Sequence, residues 1–244
     1  MNSFENGRAI CYSGYRKGQS PDAKIYPSYA QVKEDLLILQ EDWKYLRLYD
    51  SGPHAEIVLD VVEKEELDFK IMLGAGINAE VSNPGCSWGA IYTQAVLEEN
   101  RKSNLEEISK MAELANRYSK SVFSLSVGNE TTAEWTDHKV PVERVVEYAK
   151  MVKENVTQPV TFCEGYVPWY DKLEALIDVV DFISLHSYPI WESKNIDVAF
   201  ASTKNDYASI VKKHPNKPVV ITEAGWTTMS NGVRIMSDNA NEDL

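Results

Sequence analysis

The sequence predicts an α/β protein, a (β/α)₈ TIM barrel that lacks its last β/α unit in this chain. Short β-rich runs alternate with longer helical patterns, which is typical of a parallel sheet built from βαβ units. Several of the strand runs are continuously apolar, as strands buried on both faces are. Seven such units take about 32 residues each, close to the ~31 residues per unit of an eight-unit barrel of ~250 residues.

Seven strands are predicted in chain order. They are Ala9–Tyr12, Tyr45–Tyr49, Phe69–Ala75, Val122–Val127, Val160–Cys163, Phe182–His186 and Val219–Thr222. The 18 residues after Trp226 are polar and show no eighth strand and helix pattern. No linker or shift in composition divides the chain. We therefore predict a single barrel domain over residues 1–244, incomplete at its C-terminal end.

Apolar residues at helical spacing predict the helices between the strands. The predicted buried stripes are Tyr29, Val32, Leu36 and Leu39; Leu105, Ile108, Met111 and Leu114; Val142, Val145, Val146 and Ala149; and Leu173, Leu176, Ile177 and Val180. Asn104 is predicted to cap the second of these helices, and Pro141 suits the first position of the third. The stretch from Asn83 to Ser103 is then predicted to be a long loop over a site.

The charge of the chain argues against several classes of partner. Lys and Arg number 25 against 37 Asp and Glu, so the net charge is −12. Nucleic acids and anionic membranes need a basic surface, which this chain lacks. No apolar run reaches the ~18 residues of a membrane span, and the N-terminus has no apolar signal core. A neutral or cationic ligand is compatible with this composition.

Two glutamates follow apolar strands, and these are the candidate catalytic residues. Glu130 ends the sequence LSVGNE, and Glu223 lies in VITEAGW. Both come at the carboxyl ends of predicted strands, the face on which (β/α)₈ barrels build their active sites. Strand alternation predicts that Glu130 points inward with Ser126 and Gly128, and that Glu223 does so with Ile221. Two carboxyl groups that face each other across a cleft are typical of the active sites that hydrolyse glycosidic bonds.

Other polar residues at the strand ends are predicted to join them. The sequence SLHSYP directs His186 and Tyr188 inward, and YLRLYD does the same for Arg47 and Tyr49. A buried arginine needs an anionic partner, which an active-site carboxylate would supply.

Five of the tryptophans fall near predicted loops. Clefts that bind sugars are commonly lined by flat aromatic side chains. Trp191 and Trp226, next to strand ends, are the predicted sugar-binding positions, whereas Trp43 is assigned to packing. The loop set is Trp88, Trp135, Trp169, Trp191 and Trp226.

The sequence lacks the patterns of other chemistries. The four histidines show neither HxH nor HExxH spacing, so no metal site is expected. The chain has no GxGxxG after its first strand, no GxxxxGK[ST] and no GxSxG, so neither a nucleotide cofactor nor a serine nucleophile is predicted. Cys11, Cys86 and Cys163 form no CxxC pair and are assigned as buried or half-buried free thiols. No cofactor is expected.

Together these motifs resemble glycoside hydrolase family 17, and in particular bacterial laminarin-active β-1,3-glucanases. The resemblance runs from about Gly7 to Trp226 through ICYSGYRKGQSP, YPS, WKYLRLYD, SVGNE, HSYP and ITEAGW. It implies a retaining enzyme that cleaves β-1,3-glucan through a covalent glycosyl-enzyme intermediate. Glu130 would be the acid/base and Glu223 the nucleophile. The implied substrate-binding residues are Tyr12, Arg47, Tyr49, Asn129, His186, Tyr188 and Trp226.

The sequence departs from the family pattern at two points, and alternatives stay open. Thr227 stands where the family often has proline, and no eighth unit is evident. A β-1,3-glucan transglycosylase, a clan member acting on another linkage and an inactive glycan-binding fragment are the competing interpretations. A polymer-degrading enzyme is expected in an extracellular or periplasmic location.

Overall fold

A computed structural model describes residues 7–228 and contains the predicted barrel. Seven parallel strands pair with their sequence neighbours in the order β1 to β7. Their bounds are β1 Ala9–Cys11, β2 Tyr45–Arg47, β3 Lys70–Gly74, β4 Val122–Asn129, β5 Val160–Gly165, β6 Ile183–Ser187 and β7 Val219–Ala224. The fold prediction of a TIM barrel without one unit is confirmed.

Helices follow the strands on the outside of the barrel. They are α1 Tyr29–Leu39, α2 Pro53–Lys64, α3 Gln94–Arg117, α4 Val142–Asn155, α5 Tyr166–Asp171, α6 Glu174–Ile177 and α7 Ile196–Lys213, with a 3₁₀ turn at Pro189–Glu192. The main core lies between strands and helices, where residues such as Val58, Leu73 and Tyr148 are fully buried.

The helix beginning predicted at Asn104 is wrong. Helix α3 begins at Gln94, where the Thr93 side chain accepts a hydrogen bond from the Val96 backbone. Asn104 lies inside the helix, buried, and bonds Asn78 on the loop after β3. The first ten residues of α3 have no buried apolar stripe, so apolar periodicity does not predict that they are helical. The loop predicted over Asn83–Ser103 consequently ends at Thr93.

Two smaller differences concern helix lengths. Pro141 is the residue before α4 rather than its first helical residue. The stripe predicted from Leu173 to Val180 spans a helix of only four residues, α6. Leu173 lies before this helix and Val180 after it, and both are buried.

The inside of the barrel is small and partly polar. Met72, Cys163 and Phe182 form its apolar cluster, with Phe123 and Val220 against it. Within the described residues β1 and β7 are the edge strands of the sheet, and they meet where the Cys11 thiol donates to the Thr222 carbonyl at 3.4 Å. A cavity of about 710 Å³ opens between these two strands and reaches Arg47 and Glu223.

Candidate active site

The carboxyl ends of β2, β4, β6 and β7 bring four charged or titratable side chains into one cluster. These are Arg47, Glu130, His186 and Glu223. One oxygen of each glutamate and one nitrogen of His186 all lie within 4.8 Å of one another. The two glutamates that the sequence predicts to face each other are therefore neighbours at the mouth of the barrel.

Glu223 is held by three partners. Arg47 donates through Nη1 to its Oε1, and the Tyr188 hydroxyl donates to its Oε2 at 2.8 Å. His186 Nδ1 lies 3.7 Å from Oε2. Burial by itself would raise the pKa of Glu223, but the charges of His186 and Arg47 and the Tyr188 hydroxyl outweigh burial and lower the pKa. The carboxylate is thus ionised at neutral pH.

Arg47 joins three strands across the barrel interior. Besides its bond to Glu223, its Nη2 donates to Asn129 Oδ1 at 2.5 Å. Its guanidinium carbon lies 4.6 Å from the ring centre of Tyr49, a cation–π contact. The Arg47 side chain is 7% exposed, so its charge is balanced inside the protein rather than by water.

Glu130 is the more accessible of the two carboxylates. Its side chain is 18% exposed, against 8% for Glu223. His186 Nδ1 donates to Glu130 Oε1 at 2.9 Å. Burial alone would lower the pKa of His186, but the neighbouring Cys163 thiol and the Glu130 carboxylate outweigh burial and raise the pKa to about 9. His186 is therefore an imidazolium that lies between the two carboxylates.

An irregular backbone at the end of β4 aims two consecutive side chains at the site. Gly128 has φ +131° and Glu130 has φ +53°, and the pairing of β4 with β5 shifts register between Ser126 and Asn129. A regular strand would send Asn129 and Glu130 to opposite faces. Here Asn129 contacts Arg47 while Glu130 contacts His186.

A second register shift positions Glu223. Leu185 pairs with Ile221 and His186 pairs with Glu223, so β7 carries one extra residue there. The expectation that Glu223 shares its direction with Ile221 is wrong. Ile221 is 39% exposed, whereas Thr222 reaches Cys163 inside the barrel at 3.7 Å. The bulge lets Glu223 face the site as well.

Most of the predicted binding residues adjoin this cluster, but Tyr12 does not. Tyr49, Asn129 and Tyr188 contact Arg47 or Glu223 directly. The Tyr12 hydroxyl instead donates to Asp35 of α1 at 2.7 Å, and its ring packs in the outer core. Because Cys11 takes the inward position beside Arg47, strand alternation turns Tyr12 outward, and its expected place at the site is wrong.

The tryptophans divide between surface and core. Trp191 lies in the 3₁₀ turn after β6 and is 42% exposed, and Trp226 follows β7 and is partly buried. Trp169, grouped by sequence with the loop aromatics, is fully buried and donates from Nε1 to the Ser184 carbonyl. Trp43 packs against the core as predicted.

Two buried groups, Cys163 and Glu164, lie beneath the site, a position that sequence reasoning did not assign to either of them. Cys163 is fully buried beside Arg47 and His186, whose charges lower the pKa of its thiol against the effect of burial. Glu164 is 1% exposed and accepts hydrogen bonds from the Thr132 backbone and hydroxyl at 3.0 and 2.7 Å. The rule that found Glu130, a carboxylate at the end of an apolar strand, also describes Glu164 in VTFCEG.

Among residues 7–228, Glu130, His186 and Glu223 are close enough to hold a metal ion. The Arg47 guanidinium, however, occupies one oxygen of Glu223 and would repel a cation. Two carboxylates bridged by an imidazolium and backed by an arginine suit proton transfer and nucleophilic attack better than metal ligation.

A parallel (β/α) barrel with two facing carboxylates at the carboxyl ends of β4 and β7 defines a protein of the glycoside hydrolase class. Comparison of the sequence with protein families matches residues 9–242 to the BtgE/BtgC glycoside hydrolase domain. The chain belongs to this family. No curated protein matches the sequence.

Solved structures with the same fold cover most of the chain. An endo-laminarinase from Formosa Hel1_33_131 superposes with a TM-score of 0.74 at 23% identity, over 93% of this chain and 68% of that one. A β-1,3-glucanosyltransferase mutant from Rhizomucor miehei, in complex with laminaritriose, gives 0.72 at 21% identity, over 95% and 76%. A glycoside hydrolase family 17 β-1,3-glucanosyltransferase from Rhizomucor miehei gives 0.70 at 20% identity, over 95% and 75%. In the described part of this chain, every helix is too short or too polar to cross a membrane.

Proposed function

We propose that the protein is a retaining hydrolase of β-1,3-glucan, with Glu223 as nucleophile and Glu130 as acid/base. The observation that carries the proposal is the proximity of the two carboxylates. One carboxylate oxygen of Glu130 lies within 4.8 Å of one carboxylate oxygen of Glu223. Retaining glycosidases hold their carboxyl groups ~5–5.5 Å apart, whereas inverting enzymes leave ~6.5–9.5 Å for a water molecule. The short separation therefore favours attack by a carboxylate over attack by water.

The surroundings of each glutamate support its role. Glu223 is the more buried carboxylate, and Arg47 and Tyr188 keep it ionised, as a nucleophile must be. Glu130 is more exposed, and within residues 7–228 its carboxylate is bonded by His186 rather than by an arginine, so it is open to a leaving group or a water molecule. Different environments for two carboxyl groups are what separate an acid from a nucleophile.

The reaction follows in two balanced steps. Glu223 attacks the anomeric carbon while the Glu130 carboxylic acid gives its proton to the departing glycosidic oxygen, so one C–O bond forms as another breaks. Water then enters, Glu130 takes its proton, and the oxygen attacks the anomeric carbon as the bond to Glu223 breaks. The two inversions leave the configuration of the sugar retained.

The substrate class is supported by the motifs and by the neighbouring folds. The structures similar to this chain include an enzyme named as an endo-laminarinase and one named as a family 17 β-1,3-glucanosyltransferase. We propose that the chain shares this family and this linkage. Asn129 would bond the sugar 2-hydroxyl beside the acid, and Tyr49, His186, Tyr188, Trp191 and Trp226 would line the sugar sites around the cleaved bond.

The test is release of reducing sugar from soluble β-1,3-glucan, with a β-1,4-glucan as substrate control. Glu223→Ala and Glu130→Gln should each abolish release, whereas Glu113→Gln, on the exposed face of α3, should not alter it. Proton NMR of the first product should show the β-anomer before mutarotation. An α-anomer, or release confined to β-1,4-glucan, would overturn the proposal.

Transfer to sugar instead of water is the second candidate, because one similar fold is named as a glucanosyltransferase. Product analysis at high oligosaccharide concentration separates the two reactions, since only transfer yields chains longer than the input. Binding of glucan without any release would favour the remaining alternative, a glycan-binding protein without turnover.

A further inference from the structure

Two exposed tryptophans meet on the loops that follow β3 and β4. Trp88 is 46% exposed and Trp135 is 44% exposed. Their ring centres are 6.4 Å apart, and the ring planes are inclined by 49°. Large aromatic side chains are usually mostly buried, so an exposed pair in contact is a candidate binding surface. We call this pair the Trp88–Trp135 platform.

The backbone that carries the platform is fixed by bonds between the two loops. The Asn83 side-chain amide donates to the carbonyls of Glu134 at 2.9 Å and Thr136 at 2.7 Å, on either side of Trp135. Lys172, at the end of α5, forms an ion pair with Glu134. The two loops are therefore already ordered, so binding of a ligand costs little conformational entropy of the loops, which favours affinity.

The platform lies on the same face of the barrel as the two glutamates. Among the described residues, the exposed tryptophans are Trp88, Trp135 and Trp191, and all three follow carboxyl ends of strands. The outer helices expose other apolar side chains, such as Phe200 on α7 at 82%. Trp135 is five residues from Glu130, so their Cα atoms are at most about 18 Å apart. A few sugar units span that distance.

The chemistry of the platform fits an uncharged, curved polysaccharide. The faces of pyranose rings are apolar and stack on flat aromatic rings. Two adjoining rings inclined by 49° are not coplanar, so they suit a chain whose sugars turn along its length rather than a flat ribbon, and the proposed function identifies that chain as β-1,3-glucan. The net charge of −12 disfavours polyanionic chains.

We propose that the Trp88–Trp135 platform is a remote subsite that grips β-1,3-glucan beyond the sugars next to the cleaved bond, so that affinity grows with chain length. The proposal rests on the proposed function for the identity of the chain, and it adds a site that the two glutamates do not require.

The experiment measures binding and turnover separately. Affinity for soluble β-1,3-glucan is measured by affinity electrophoresis, and kcat/KM is measured on β-1,3-gluco-oligosaccharides of increasing length, for the native chain, Trp88→Ala and Trp135→Ala. Each substitution should weaken binding of the polymer about two- to tenfold. The loss in kcat/KM should grow with chain length. Phe200→Ala, an exposed aromatic on α7, should bind as the native chain does.

The proposal would be overturned if Trp88→Ala and Trp135→Ala bound the polymer as tightly as the native chain does. An equal loss at every chain length would also overturn it, because that loss would indicate a change at the cleaved bond or in the fold. Thermal unfolding of each variant checks the fold directly. Tryptophan-dependent binding without any sugar release would support the platform and overturn the proposed hydrolysis, so the two failures are distinguishable.

Discussion

Arg47 and Glu223 form a buried ion pair that crosses the barrel interior from β2 to β7. Both side chains are less than one-tenth exposed, and the arginine also bonds Asn129 on β4. The pair thus fixes the geometry of three strand ends and the charge of one candidate catalytic group. Breaking it should affect stability and reaction together.

Replacing Arg47 by methionine should unfold the protein more easily, because Glu223 would be left buried without its main counter-charge. The expected loss in unfolding free energy is about 3–5 kcal/mol, measured by urea denaturation near pH 7. The Arg8–Asp42 pair offers a matched control, since its side chains are 70% and 64% exposed. Arg8→Met should cost no more than about 1 kcal/mol. Equal losses for the two variants would contradict the role given to Arg47.

Removing the Tyr188 hydroxyl should weaken the ionised form of Glu223. Its hydrogen bond of 2.8 Å to a carboxylate is of the charge-assisted kind, so Tyr188→Phe should lower kcat/KM about 10- to 100-fold. The pKa of Glu223 lies below its ordinary value in the native chain, and losing a donor raises it. The acid limb of the pH–rate profile should therefore move to higher pH. Tyr29→Phe, which removes an outer hydroxyl bonded to Glu65, should leave the profile in place.

His186 should make stability depend on pH at the alkaline end. Its folded pKa of about 9 lies above the ordinary 6.5, so the folded state binds the proton more tightly than the unfolded state does. Its contribution is complete below pH ~6.5 and is lost as pH rises through ~9. The stability difference between the native chain and His186→Asn should therefore shrink by up to about 3 kcal/mol between pH 6 and pH 10.

His54 provides a control of opposite sign. Burial lowers its pKa, against the charges of Asp50 and Asp35, so its proton is held less tightly in the folded state. The difference between the native chain and His54→Asn should grow, not shrink, as pH rises from about 5 to 7. If both differences moved in the same direction, the environment assigned to His186 would be wrong.

Gly128 should tolerate no side chain without loss of activity. Its φ of +131° is strained for any other residue, and a Cβ there would lie 3.3 Å from Phe162. Gly128→Ala should cost about 1–3 kcal/mol in unfolding free energy and misplace Glu130, lowering kcat more than KM. Gly165, at the end of β5, has an ordinary φ and its Cβ would meet Pro168 at 3.8 Å. Gly165→Ala should keep nearly native activity, and a comparable loss in both variants would rule out the backbone explanation.

The sequence was most informative where local rules and burial agree. Apolar strands located all seven β-elements, and polar residues at or just after their carboxyl ends identified Glu130, Glu223, Arg47 and His186 as neighbours at one end of the barrel. These inferences rest on a parallel sheet having one carboxyl-terminal edge, which topology guarantees.

Features that depend on register or on tertiary contacts were beyond sequence reasoning. The bulge in β7 makes the Glu223 side chain point to a different face from Ile221, and no residue type in the sequence predicts this bulge. Tyr12 turned outward because its neighbour Cys11 occupies the interior. The polar start of α3 is held by its Thr93 cap and by the Asn100 side chain, which donates to the Ala79 carbonyl on the loop after β3, and periodicity does not detect such contacts.

The contacts that hold Glu223 in β7 have a thermodynamic consequence. Ladder bonds to β6 hold the backbone of Glu223, and Arg47 and Tyr188 bond its carboxylate across the interior. Protonating Glu223 in acid weakens both side-chain contacts, so loss of the proposed nucleophile and loosening of β7 should be one linked event. Under the proposed function, a sugar chain bound at the mouth of the barrel would favour the ordered arrangement and oppose that event by mass action. The substrate would then act as a stabilising ligand that extends the acid range in which the barrel stays folded.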